Sequence, residues 1–311
     1  IKERLDFSCA LFDHEGALIA NAPHIPVHLG SMGDSIARVI EQRGGARDGR
    51  GLRRGDAYVL NDPFHGGTHL PDITVIVPVF FDDGTDEPDA FVAARGHHAD
   101  IGGIAPGSMP PESSTIEEEG VMIDNLLMVD EGKFREDAVR QALAAAKYPA
   151  RNPDRNLSDL RAQLAACTRG TELLQAAARD QGGQVVTAYM DHVLANAEES
   201  VRRLLGKLDD GTFAYEMDSG AVVKVAIRID REDRSAVFDF TGTSEQRPNN
   251  FNAPRSITRA AALYVVRTLI DDAIPMNDGC LRPVDLIVPE GSMLNPRPGA
   301  AVVAGNVETS Q

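Results

Sequence analysis

The sequence is poor in positive charge, in paired cysteines and in long apolar runs, and each shortage removes a class of function. Lys and Arg number 31 against 47 Asp and Glu, a formal net charge of −16. Wrapping nucleic acid or lying on an anionic membrane needs a basic surface, so neither partner is expected. The three cysteines, Cys9, Cys167 and Cys280, lie far apart and form no C-x-x-C pair, so they read as reduced thiols of a cytoplasmic protein. No stretch approaches the ~20 apolar residues of a membrane-spanning helix, and no charged-then-apolar leader opens the chain. Also missing are G-x-x-x-x-G-K-[ST], G-x-G-x-x-G after a strand, G-x-S-x-G and H-E-x-x-H. The chain carries no recognisable nucleotide cradle of its own.

What is present describes a globular chain of 311 residues, 42% hydrophobic, with room for two or three subdomains. Three regions follow one another. Residues 1–130 read as strand and loop: a hairpin through "DFSCALFD" and "ALIANAP", one helix over "MGDSIARVIEQRGG" capped by Ser31 or Asp34, and strands at "AYVLNDP", "ITVIVPVFFDDG" and "DAFVAARGHHAD". The middle strand is apolar on both faces, which predicts a central place in its sheet. Residues 131–208 are helical. Apolar positions at three-four spacing run from Leu157 to Ala178 and, after Gly182-Gly183, from Val186 through Met190, Val193, Ala197 and Val201 to Leu208. This predicts an antiparallel helical hairpin whose stripe, Cys167 included, serves packing rather than a cofactor. Residues 209–311 return to strands around one more helix, "ITRAAALYVVRTLID". Strands, a helical block and strands again predict an α+β (mixed) fold. Both ends read as cut, with a further C-terminal portion expected beyond "GNVETSQ".

Seven of the eight histidines (His14, His24, His28, His65, His69, His97 and His98) fall in the first 98 residues. Imidazole is the commonest nitrogen ligand of transition metals and the usual base near neutral pH. One local pattern occurs twice: His69-Leu-Pro-Asp72 ahead of a strand, and His97-His98-Ala-Asp100 after the next. Where the chain bends, a His and an Asp three apart converge on one point, and Gly66-Gly67 and Gly102-Gly103 allow close backbone approach. If both loops share a sheet edge, their imidazoles and carboxylates form a mixed nitrogen–oxygen site suited to Mn²⁺, Fe²⁺ or Zn²⁺. The plainer reading is that each H-x-x-D satisfies its own turn. Glu117, Glu118 and Glu119 read first as a solvated turn. Asn249, Asn250 and Asn252, among prolines, either cap backbone or hold a polar substrate.

At this point several blocks carry a resemblance: "ERLDFSCALFD", "IPVHLGSMG", "NDPFHGGTHLPDITVIVPVF", "RGHHADIGGIAPGSMP" and "PMNDGCLRPVDLIVPEGSMLNPRPGAAVVAGNVETSQ". The chain resembles the hydantoinase B / 5-oxoprolinase family along essentially its whole length. The resemblance implies a partner, a hydantoinase A-type ATPase subunit or fused domain that phosphorylates the substrate, and hence a hetero-oligomer or a fused chain. It implies that ATP is used by that partner. The B-type part then completes the opening of a small cyclic amide such as 5-oxoproline or a hydantoin. Acetone carboxylase is similar, and through it manganese is the implied metal. Residue by residue, the resemblance puts the metal on His69, Asp72 and His97, with Asp6 as a fourth ligand, and leaves His98 or Asp100 as base or supporting group. A carboxylase subunit using the same metal, and a scaffold that only docks the ATPase, are the alternative readings.

Overall fold

The computed structural model describes residues 5–22, 26–81, 85–271 and 273–309, without the side chains of Pro26 and Leu29. His24 lies outside the described residues. Strands β1 (Phe7–Asp13), β2 (Leu18–Ala22), β3 (Ala57–Leu60), β4 (Asp72–Val79), β5 (Ala90–His97), β6 (Leu126–Asp130) and β7 (Lys133–Phe134) form one antiparallel sheet in the order β2-β1-β5-β4-β3-β6-β7. β4 is the middle strand and all eight of its residues are buried, as its two-faced apolar pattern predicts. Alternation divides those residues between two cores. Ile73, Val75, Val77 and Val79 join Leu157, Leu160 and Cys167 of helix α4 (Pro153–Gln181). Ile76 instead joins Phe91 and Ala93 of β5 and Met32, Ile36 and Val39 of helix α1 (Pro26–Arg43). The sheet is therefore a layer between α1 and α4, each face with its own apolar filling.

Short helices α2 (Ile116–Glu119) and α3 (Glu136–Ala144) precede α4, and α5 (Gly183–Leu205) follows it after a break at Gly182. A second sheet, in the order β11-β10-β9-β8, contains β8 (Gly211–Glu216), β9 (Val222–Asp230), β10 (Ser235–Asp239) and β11 (Val284–Ile287). Ala236 and Phe238 of β10 pack with Ala197, Val201 and Leu205 of α5 and with Leu263 and Val266 of α6 (Arg255–Thr268). Helix α7 (Val303–Glu308) ends the described chain. The fold is mixed α+β.

Two local expectations change. Helix α1 starts at Pro26, so Ser31 and Asp34 are interior residues rather than caps. Gly30 therefore lies inside α1, where α6 crosses: a Cβ there would stand 2.5 Å from the Ala260 Cα. The buried stripe of α5 runs through Met190, Leu194, Ala197, Val201 and Leu205, leaving Val193 at its margin.

Candidate metal centre

Asp72 opens β4 and His97 closes β5, and the antiparallel register sets them directly opposite each other. Their α1-facing side is shared by Thr74 and Arg95, two residues further into the same strands. His69 arrives from the turn between β3 and β4. Asn61 clamps that turn, donating to the carbonyls of Leu70 (2.7 Å) and Val121 (2.9 Å) and accepting from the Ile123 amide (2.6 Å). Gly66 takes φ +92°, and any Cβ there would collide with the Ser35 nitrogen, so the turn lies hard against α1. Ser256 of α6 pins it from outside through the Gly67 carbonyl (2.6 Å).

The result is a buried cluster. His69 Nε2 is 3.1 Å from Asp72 Oδ2, which also accepts from Thr68 Oγ1 at 2.6 Å. The His69 and His97 rings meet edge to face with centroids 5.1 Å apart. His28, in the first turn of α1, brings Nε2 to 3.4 Å from Asp72 Oδ2 and 3.8 Å from Asp6 Oδ1, while Ser8 Oγ holds its Nδ1 at 2.9 Å. His69, Asp72 and His97 offer ligand atoms close enough to share one cation, and so do Asp6, His28 and Asp72. Asp6 thus enters the cluster through His28 and Asp72.

The donor set fits a divalent ion. Two imidazoles and a carboxylate make a mixed nitrogen–oxygen site of the kind Mn²⁺, Fe²⁺ and Zn²⁺ accept. His69 Nδ1 and Asp72 Oδ1 are buried and have no hydrogen-bond partner among the described residues, which is costly for any polar atom left so. Burial opposes charge on Asp72, but the imidazoles of His69 and His28 outweigh it and hold its carboxyl well below the usual carboxylate range. Burial likewise pushes His69 down, and the facing Asp72 charge more than reverses this, leaving His69 raised. Asp72 is accordingly a carboxylate, as a ligand must be.

Beneath the cluster lies Arg95, the largest fully buried side chain among the described residues. Its guanidinium donates to Thr74 Oγ1 (2.7 Å), Ser31 Oγ (2.5 Å), Ser35 Oγ (2.9 Å) and the Gly66 carbonyl (3.0 Å). Burial lowers it to about 10, against the charges of Asp72 and Asp34, so it stays protonated near neutral pH.

The remaining candidates stand elsewhere. His98 turns to the α4 side, between Gln163 Oε1 (3.0 Å) and Asn156 Nδ2 (3.0 Å). Asp100 does not close on His97; it accepts from the amides of Gly102 and Gly107 and pairs with Arg151 at 2.8 Å. Asn250 donates to the Pro110 carbonyl, Asn252 to the carbonyls of Arg247, Asn249 and Ala301, and Asn249 accepts from the Phe251 amide. All three amides are thus engaged with backbone. Glu119 is fully buried rather than solvated, accepting from Ser113 Oγ and from the amides of Val302 and Val303. Asp62, His65 and Asp124 form a second, outer group, in which His65 pairs with Asp62 at 2.6 Å while Arg38 and Gln42 hold Asp124. Sequence reasoning missed His28 and Arg95. The signal for His28 was its place four residues before the first helical periodicity, which becomes one face of α1 once the helix is extended backwards.

The whole chain, residues 1–311, matches the family model described as Hydantoinase B/oxoprolinase. It is 45% identical over 323 residues to the 5-oxoprolinase of Saccharomyces cerevisiae, covering 100% of this chain and 25% of that protein. It therefore spans about a quarter of the length of the curated 5-oxoprolinase it matches. Among solved structures, the ATP-dependent caprolactamase of Pseudomonas jessenii superposes with a TM-score of 0.81 at 27% identity, over 98% of this chain and 52% of that one. Acetone carboxylase in its nucleotide-free structure shares the fold, with a TM-score of 0.81 at 20% identity over 97% of this chain and 41% of that one. A likeness that runs from the first residue to the last, through both sheets and the strand ends that carry Asp72 and His97, makes this chain a member of the hydantoinase B/oxoprolinase family.

Proposed function

We propose that this chain is the metal-bearing, B-type part of an ATP-dependent cyclic amidase. The observation that carries the reading is the buried meeting of His69, Asp72 and His97 at adjoining strand ends. The 45% identity to a 5-oxoprolinase supports a lactam or related cyclic amide as substrate. The absence of a phosphate-cradling motif from the sequence supports an A-type partner, as a subunit or a fused domain, as the user of ATP.

His69, Asp72 and His97 would hold the cation, with Asp6 as a further carboxylate; manganese is our first choice, iron or zinc next. When bound, a divalent cation supplies Lewis acidity toward a carbonyl oxygen or a water. The chain's own groups do the rest. Thr68 fixes one oxygen of Asp72 and leaves the other available. Ser8 sets the His28 ring, which faces Asp72 and Asp6 together. Burial keeps bulk water from competing for the carboxylate and strengthens every local field. Asp6 is the least enclosed of these groups, its side chain 23% exposed against 2% for Asp72, so substrate approaches past it.

Elemental analysis of the purified protein tests the reading. Manganese, iron or zinc is expected, and His69→Ala or Asp72→Ala should remove it. Unchanged metal in both variants rules out this site; no metal in the unaltered protein favours a scaffold that only docks its partner.

A further inference from the structure

We propose that Arg95 is the positioning residue of this centre, a buried clamp that pre-forms the metal site; the inference rests on the metal reading above. A guanidinium taken out of water normally meets a carboxylate, because an unpaired buried charge is costly. Arg95 does not. Its described partners are three hydroxyls and one backbone carbonyl, and no carboxylate lies within ion-pair distance among the described residues.

Those partners share one property: each belongs to a segment that brings a candidate ligand. Thr74 stands two residues beyond Asp72 on β4. Ser31 and Ser35 follow His28 on the same face of α1, three and seven residues on. Gly66 is in the turn that delivers His69. Arg95 itself stands two residues before His97 on β5. One rigid, planar group of five donors thus fixes a strand, a second strand, a helix and a turn against one another. An apolar residue of similar size would fill the volume without setting these angles. The distributed contacts also explain the absent carboxylate, since Asp72 is freed from a bidentate arginine and kept for the cation, while its charge is still felt by the guanidinium.

The test uses the full chain and Mn²⁺ alone, with affinity read by competition against a chelator at a temperature where circular dichroism shows each variant folded. Loss of groups that orient metal ligands typically costs about 10–100-fold in affinity. Arg95→Met is expected to weaken Mn²⁺ at least tenfold and to broaden its electron paramagnetic resonance spectrum, with Arg95→Lys intermediate. A core variant away from the cluster, Leu194→Ala, should lower the melting temperature and leave affinity unchanged. If Arg95→Met does not fold, Thr74→Val, Ser31→Ala and Ser35→Ala each remove one arm of the clamp, and each should weaken binding severalfold. Folded Arg95→Met, or the three single-arm variants, binding Mn²⁺ as the unaltered chain does would overturn the clamp while leaving the metal site standing. An unaltered chain that takes up no Mn²⁺ overturns the metal reading and the clamp with it.

Discussion

Glu119 and His98 are buried on groups of opposite sign, and their effects on stability oppose each other across the same pH range. Burial raises Glu119 to about 7, the amides of Val302 and Val303 and the Ser113 hydroxyl pulling the other way. The unfolded chain gives up this proton near 4.5 and the folded chain near 7, so the stabilisation is complete below about pH 4.5 and is lost as pH rises to 7. Burial lowers His98 to about 4, the Gln163 bond opposing. Here the unfolded chain takes up a proton near 6.5 and the folded chain only near 4, so stability is lost as pH falls between them. Each group carries up to about 3 kcal/mol at 1.36 kcal/mol per pKa unit. Glu119→Gln should therefore make stability rise more steeply from pH 4.5 to 6.5, and His98→Asn should make it fall there. Urea titrations across that range check both, and parallel slopes in all three proteins would refute the assignments. Neither role was legible in the sequence. Glu119 owes its burial to amides some 183 residues away, and His98 differs from its neighbour His97 only in the sheet face that alternation gives it.

At the scale of elements, the central strand β4, the β1–β2 hairpin and the break between α4 and α5 were legible because periodicity and turn glycines are local signals. The start of α1 was not, because Gly30 is a poor helix residue whose presence is explained only by the helix that crosses it. Replacing it with alanine places a Cβ 2.5 Å from the Ala260 Cα, a backbone contact that no rotamer relieves. Gly30→Ala improves local helix propensity by about 1 kcal/mol, yet it should lower the melting temperature by several degrees, since separating α1 from α6 outweighs that gain. A higher melting temperature would show that the crossing yields. The three-four pattern of α5 marks a packing stripe, but its buried residues centre on Leu194 rather than Val193. Leu194 is fully buried whereas Val193 is only half-buried. Leu194→Asp should cost about 3 kcal/mol or more by burying an unpaired charge, and Val193→Asp clearly less. Thermal melts of the pair decide the register.

For the whole molecule, the candidate site was legible only in part. The His69–Asp72 pair is written in four consecutive residues, but its third member depends on strand register, which aligns His97 with Asp72 instead of with Asp100. No spacing rule specifies that choice. What the assembled centre does alone follows from chemistry. An unactivated lactam is a poor electrophile, and a cation that polarises a carbonyl lowers a barrier without supplying a driving force. None of the common phosphate-cradling motifs occurs in the 311-residue sequence, and a net charge of −16 offers no basic funnel for a nucleoside triphosphate. The purified chain should accordingly neither hydrolyse ATP nor open 5-oxoproline, with or without added Mn²⁺. Under the proposed function, turnover should require an A-type ATPase partner, and His69→Ala should abolish that turnover without dissociating the complex. The measurement is ammonia-free: glutamate formed from 5-oxoproline, followed with and without ATP. ATP-independent glutamate formation by this chain would refute the division of labour and mark it as an ordinary metal-dependent amidohydrolase.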